Sequence, residues 1–134
     1  MPMNRRAILF LALILAYSHG AFSEEPRPQD FANVSLIELI ANPAKYDRKL
    51  VRVFGFIHLE FEGEAIYLHR EDFEKRLFTN AVHVDIETCK ARGGGKFNDG
   101  YAEVEGRFAA SDPVGRFWSG TILEIRRCDE LPIP

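Results

Sequence analysis

The feature that most constrains this chain is a run of alternating side chains from Lys49 to Glu62. Val51, Val53, Ile57, Leu59 and Phe61 share one parity, and Arg52, Phe54, Phe56, His58, Glu60 and Glu62 share the other. Successive Cβ atoms of a strand point to opposite faces, so period two over this length predicts a long strand with one face in a core. Gly55 falls on the apolar parity in its middle and predicts a bend or bulge. Such a strand needs partners to be stable, and four further segments offer them. Glu62-Gly63 predicts a turn into a second strand, Glu64 to His69. Ala81 to Glu87 alternates, with Val82, Val84 and Ile86 inward and His83, Asp85 and Glu87 outward. Tyr101 to Ala110 places Ala102, Val104 and Phe108 on one parity, and Trp118 to Cys128 forms the fifth strand.

The connections carry their own signals. Ser35-Leu36-Ile37-Glu38 is a capping box that opens a helix of about two turns, and Asn42-Pro43 closes it. Its apolar side, Leu36, Ile37, Leu39 and Ile40, needs a surface to cover. Phe54 is expected beneath it, with Phe56 open to either burial or exposure. Arg70 to Asn80 reads as a short helix or turn-rich connection with Phe73 and Leu77 at i, i+4. Cys89 to Gly100, with three consecutive glycines and Asn98-Asp99-Gly100, reads as an exposed loop.

The N-terminus predicts export. Arg5 and Arg6 precede an apolar run of eleven residues, Ala7 to Tyr17, well short of the roughly 20 that a spanning helix needs. Ala21-Phe22-Ser23 supplies small residues at a cleavage site. The expected organisation is a cleaved signal peptide 1–23, a flexible leader 24–32, a barrel domain 33–130 and a tail 131–134. The product would be periplasmic or secreted, with no stable membrane span after cleavage. The 134-residue chain has 17 basic and 20 acidic residues; without Arg5 and Arg6, 15 basic residues remain, for a charge of −5. That balance argues against nucleic acid as a partner.

Export gives meaning to Cys89 and Cys128. An even count in an oxidising compartment favours a disulfide over two free buried thiols. Both cysteines fall on outward parities, so the bridge is expected on the outer wall. It would close a loop of about 40 residues, worth ~4 kcal/mol in the chain-entropy model.

Five short strands, the first long and interrupted by glycine, predict an all-β fold with minor α: a five-stranded OB-like Greek-key barrel with a short N-terminal helix. Ser35-Leu36-Ile37-Glu38-Leu39 through Lys49-Leu50-Val51-Arg52-Val53-Phe54-Gly55 resembles the start of OB-fold domains in exported bacterial proteins. Ala65-Ile66-Tyr67-Leu68, Tyr101 to Phe108 and Gly120-Thr121-Ile122-Leu123-Glu124-Ile125 resemble later parts of the same pattern. The chain is thus similar to the bacterial OB-fold (BOF) group and to anticodon-binding-like OB domains over about residues 33 to 128. The resemblance implies a binding scaffold and brings no catalytic residues. It departs at one point: the usual OB helix lies between strands three and four, whereas here the charged helical segment falls between strands two and three.

Enzyme signatures are missing from the sequence: it has no G-x-S-x-G, H-E-x-x-H, P-loop or G-x-G-x-x-G. The expected function is a non-enzymatic module, without a cofactor, that engages a protein or small ligand through the outer face of the first three strands. An immunity- or inhibitor-type protein is one version. The candidate contact residues are Arg52, Phe56, His58, Glu60, Glu62, Tyr67, His69, His83 and Asp85. Aromatics interleaved with Arg52 and Arg70 suit stacking, and the acidic hairpin Glu60-Glu62-Glu64 suits a basic partner. With Glu62-Gly63 as the turn, His58 is expected opposite Tyr67 and His69 opposite Phe56. The alternative is a metal- or small-molecule-binding periplasmic stress protein using His58, His69 and His83, whose ligand spacing is loose.

Overall fold

A computed structural model describes residues 24, 27, 30–60, 63–111 and 117–132. Their order is β1 (Ala32–Asn33), α1 (Leu36–Ala41), α2 (Pro43–Tyr46), β2 (Leu50–His58), β3 (Ala65–Tyr67), α3 (Arg70–Glu74), β4 (Ala81–Val84), α4 (Ile86–Ala91), β5 (Gly100–Ala109) and β6 (Thr121–Glu130). Strands β2, β3 and β4 form an antiparallel meander, β4 runs parallel to β6, and β6 pairs antiparallel with β5. β5 then pairs with β2 and closes a five-stranded Greek-key barrel of OB-like order. The short β1 adds in parallel to β2, with Ala32 in register with Val51.

β2 organises the barrel because it is long enough to serve two neighbours. Leu50 to Ile57 pair with β5, while Phe56 to His58 also pair with β3. Its inward side chains Val51, Val53 and Ile57 are buried with Ile66, Val82, Val84, Val104, Phe108 and Ile122. Gly55 makes no bulge: the β2–β5 register runs through it without a shift. It marks a close approach instead. A Cβ there would stand 2.5 Å from Tyr67 O and 2.6 Å from Leu36 Cδ1, so the missing side chain lets α1 seat Leu36 against the strand. The irregularity lies between Glu105 and Arg107, opposite β6.

α1 forms where its cap predicts, with the Glu38 amide donating to Ser35 Oγ at 3.1 Å. The Glu38 carboxylate does not complete the box. It accepts from Asn42 Nδ2, Lys45 Nζ and Tyr46 Oη, which ties α1 to α2. Lys45 and these hydrogen bonds hold the Glu38 carboxyl below its usual range. Leu36 and Leu39 are buried, while Ile37 faces solvent.

Several expectations about the second half are corrected. Ala81 to Glu87 is not one strand: β4 ends at Val84 and Asp85 caps α4, its Oδ1 accepting from the Glu87 and Thr88 amides at 3.1 and 3.3 Å. The stretch expected as a loop from Cys89 therefore begins inside a helix, and a 3₁₀ turn follows at Gly94–Lys96. An OB barrel usually has its helix here, between its third and fourth strands, so that connection follows the pattern after all, while the charged helix expected between strands two and three is present as well, as α3. The Cys89–Cys128 disulfide is present, with Cα atoms 5.3 Å apart and a sequence separation of 39. Both cysteines are buried in the core rather than on the outer wall, because Cys89 sits on α4 and the bridge staples that helix to β6.

Phe31 is buried and Ala32 is in β1, inside the segment expected as leader. At the other end Leu131 N–H donates to Tyr101 O at 2.8 Å. The expected signal peptide 1–23 and its cleavage position lie outside the described residues. Among the described residues no helix is long and apolar enough to cross a membrane.

Candidate functional site

The outward side of β2–β3–β4 carries two rows of side chains. Phe56, Tyr67 and Ala81 form one; His58, Ala65 and His83 form the next. Facing parity is as expected, but the pairing is shifted by two residues, so Phe56 rather than His58 lies opposite Tyr67. His69 falls beyond the end of β3 and opposes nothing on β2. His58 and His83 flank Ala65 two strand spacings apart, roughly 10 Å at the backbone.

This wall is covered by the chain itself. Phe73 of α3 lies 5.4 Å from Tyr67 and 5.9 Å from Phe56 between ring centroids, and Trp118 lies 6.0 Å from Tyr67. Phe78 packs edge-on to Trp118 at 5.0 Å. The Arg70 guanidinium sits over Phe56 at 4.7 Å, a cation–π arrangement. Phe56, Ala65, Tyr67 and Ala81 form a second buried core outside the barrel. Tyr67 Oη donates to Gly63 O at 3.1 Å, and burial pushes its phenol well above the usual value. Phe54, expected beneath α1, is instead 47% exposed, and Phe56, whose burial was open, is covered by Phe73 of α3.

His58 closes one end of this slab. Its ring stacks on Phe73 at 4.1 Å, and Nδ1 lies 2.5 Å from Asp99 Oδ1. A carboxylate can only accept, so the ring donates from Nδ1. Arg70 Nη2 donates to Asp99 O at 3.2 Å. Asn98 accepts from the Leu59 amide at 2.7 Å and donates to Glu60 at 3.2 Å. His58, Glu60 and Arg70 thus meet Asn98-Asp99, a pair that the sequence marks only as turn-formers. Asp99 has φ +57, the left-handed region that Asp tolerates better than most residues. Glu62 lies outside the described residues.

The remaining expected contacts separate. His83 Nε2 stands 3.7 Å from Glu64 Oε1, and its Nδ1 is buried with no hydrogen-bond partner among the described residues. Desolvation opposes ionisation of Glu64, but the Glu64 and Gly63 amides and His83 outweigh it and lower its carboxyl below the usual range. Asp85 is engaged at the α4 N-cap. His69 is exposed at the start of α3, its amide donating to Asp72 Oδ2 at 3.0 Å. Asp72 is buried and accepts from Asn80 Nδ2 at 2.8 Å. Among the described residues no group of three or more His, Cys, Asp or Glu could hold a metal ion.

Arg52 lies on a different part of the wall, facing β5. It pairs with Glu105 and with Glu103 at 3.0 Å, and donates to Asn33 Oδ1 at 3.3 Å. Beside it opens an apolar groove of about 380 Å³, lined by Asn33, Val34, Ser35, Leu36, Ile37, Phe54 and Leu68. Val34 and Leu36 are buried, while Ile37 (66% exposed) and Phe54 stand out into solvent. The groove exists because β1 ends at Asn33 and β3 ends at Tyr67, so neither continues beside Phe54. Parity could not identify Phe54, because burial of an outward side chain depends on what crosses it, and Ile37, expected on the covered side of α1, faces solvent instead. No protein-family model matches the chain, and no curated protein matches it.

Proposed function

We propose that this chain is an exported, non-enzymatic binding module that holds a protein partner at the groove between α1 and β2. The observation that carries the reading is the solvent-facing pair Ile37 and Phe54 over a buried apolar floor. Apolar anchors rimmed by ion pairs such as Arg52–Glu103 are the composition of a binding hot spot. The outer face of β2–β4, where OB barrels usually take ligands, is filled by Phe73, Phe78 and Trp118, whereas the groove beside it is accessible. Export is supported by the N-terminal pattern together with the Cys89–Cys128 bridge. A non-catalytic role is supported by the engagement of the acid–base candidates: His58 is stacked and bonded to Asp99, and Asp85 caps a helix. The resemblance to exported OB-fold proteins agrees with this reading, and an inhibitor- or immunity-type protein is its narrower form.

Photo-crosslinking residues placed at Ile37 and at Phe54 in the source cell test it. One dominant protein adduct from both positions, absent from a probe at the buried Tyr67, is the expected result. Oxidised, folded protein that yields no adduct at either position would sink the proposal.

A further inference from the structure

A second apolar surface lies where the β3–β4 connection meets the segment before β6. Ser119 Oγ donates to Thr79 O at 2.8 Å and Ser119 N–H to Ala81 O at 3.1 Å, which binds the two segments side by side. Phe78 and Phe117 rings lie 5.7 Å apart, and Phe78 also packs on Trp118. The inner members of this cluster rest on Tyr67, but Leu77 is 48% and Phe117 58% exposed. Lys75 and Arg76 immediately precede Leu77; both are exposed, and neither enters an ion pair among the described residues. Arg76 has φ +57, so the backbone is turned sharply just before the apolar pair.

We infer that this tip, Lys75, Arg76, Leu77, Phe78, Phe117 and Trp118, docks the protein on the surface of an anionic lipid bilayer. Unpaired cations beside exposed aliphatic and aromatic side chains match both layers of a membrane interface. Phenylalanine, leucine and tryptophan partition to the headgroup–acyl boundary, and lysine and arginine meet the negative headgroups. An acidic protein would match the cations, but the exposed Leu77 and Phe117 beside them call for an apolar phase as well. Glu71 and Glu74 of α3 precede the basic pair and oppose it, so the attraction is a small difference that salt removes readily. This surface is distinct from the α1–β2 groove, and the inference stands without the function proposed above.

The chain contains a single tryptophan, and it sits in the tip, so its emission reports on the tip alone. Oxidised full-length mature protein is titrated with vesicles of phosphatidylglycerol and phosphatidylcholine in equal parts, and with phosphatidylcholine alone. The expected result is a blue shift and co-sedimentation with the anionic vesicles only, both abolished by high salt. Lys75→Gln/Arg76→Gln should weaken binding by about 30-fold, at roughly five-fold per cation removed. Phe117→Asp should remove the blue shift while far-ultraviolet dichroism stays unchanged. Absence of binding to anionic vesicles, or binding that survives either variant, overturns the inference. So does capture of an acidic protein by the tip with no vesicle binding.

Discussion

The imidazole of His58 and the carboxylate of Asp99 meet at 2.5 Å, joining the end of β2 to the turn that leads into β5. The contact spans 41 residues of sequence and fixes the turn through a residue with left-handed backbone. Asp99→Ala removes the acceptor and keeps the backbone strain, so it should cost about 1–2 kcal/mol, the discounted value of a charge-assisted bond at a half-exposed site. Asp99→Gly loses the same bond but relieves about 1 kcal/mol of backbone strain, so it should fall between Ala and wild type. Urea unfolding of the three proteins checks the order. Equal stability of wild type and Asp99→Ala would show that the contact contributes nothing.

Gly55→Ala tests the close approach of α1 and β2. The new methyl meets both Leu36 Cδ1 and the backbone carbonyl of Tyr67, and overpacking of this kind costs about 1–3 kcal/mol. Leu36→Ala frees one of those contacts and leaves the other, because backbone cannot withdraw as a side chain can. The double variant should therefore remain less stable than Leu36→Ala alone, but by less than Gly55→Ala falls below wild type. A double-mutant cycle in denaturant measures this coupling.

Loss of the buried bridge should be the most damaging of these changes. Replacing both Cys89 and Cys128 by serine opens a loop closed across 39 residues, worth ~4 kcal/mol in the chain-entropy model. Serine hydroxyls buried without partners add to the loss. The expected outcome is a domain that unfolds at much lower urea, with α4 losing amide-exchange protection first because the staple holds it to β6. Protection of α4 equal to that of wild type would count against this account.

Stability should depend on pH at two ends. Tyr67 has a raised phenol pKa from burial, with a smaller contribution from Glu64. A raised folded value means that its contribution is complete below the unfolded pKa of about 10 and is lost as pH rises beyond it. Tyr67→Phe should flatten that alkaline slope and cost about 1 kcal/mol at neutral pH, since Gly63 O loses its donor. Glu64 has a lowered pKa, so its contribution is present above the unfolded value of 4.5 and declines as pH falls through the folded one. Glu64→Gln should flatten the acid slope and soften the alkaline one only slightly, since burial and not the Glu64 charge is the larger cause of the raised Tyr67 phenol; urea unfolding across pH measures both slopes.

Much of the barrel was legible in the residues. The alternation through Val51 and Val53, the Ser35 cap and the inward parity of Val82, Val84, Val104 and Phe108 all stand in the structure. α4 was hidden because Asp85-Ile86 continues the rhythm of β4, and a six-residue helix offers too little sequence to show its own period. The histidine set dissolved for a related reason. Parity correctly placed His58 and His83 outward, but the register was two residues from the expected one, and His69 left the sheet at α3.

The sequence by itself determined which side chains of β2, β4 and β5 point into the barrel, since strand parity is a property of neighbouring residues and needs no partner; it failed for Cys89 and Cys128, which lie on a helix and on a strand whose buried positions break the period. It also determined that α1 begins at Ser35 and that two cysteines were available to bridge. Only the tertiary structure decided which outward residues are exposed. Phe56 and Phe54 are two positions apart on the same face of the same strand; one is buried by Phe73, while the other stands at the lip of a groove. Burial of an outward side chain is set by segments that arrive from far along the chain. No local pattern records where α3 and Trp118 come to rest.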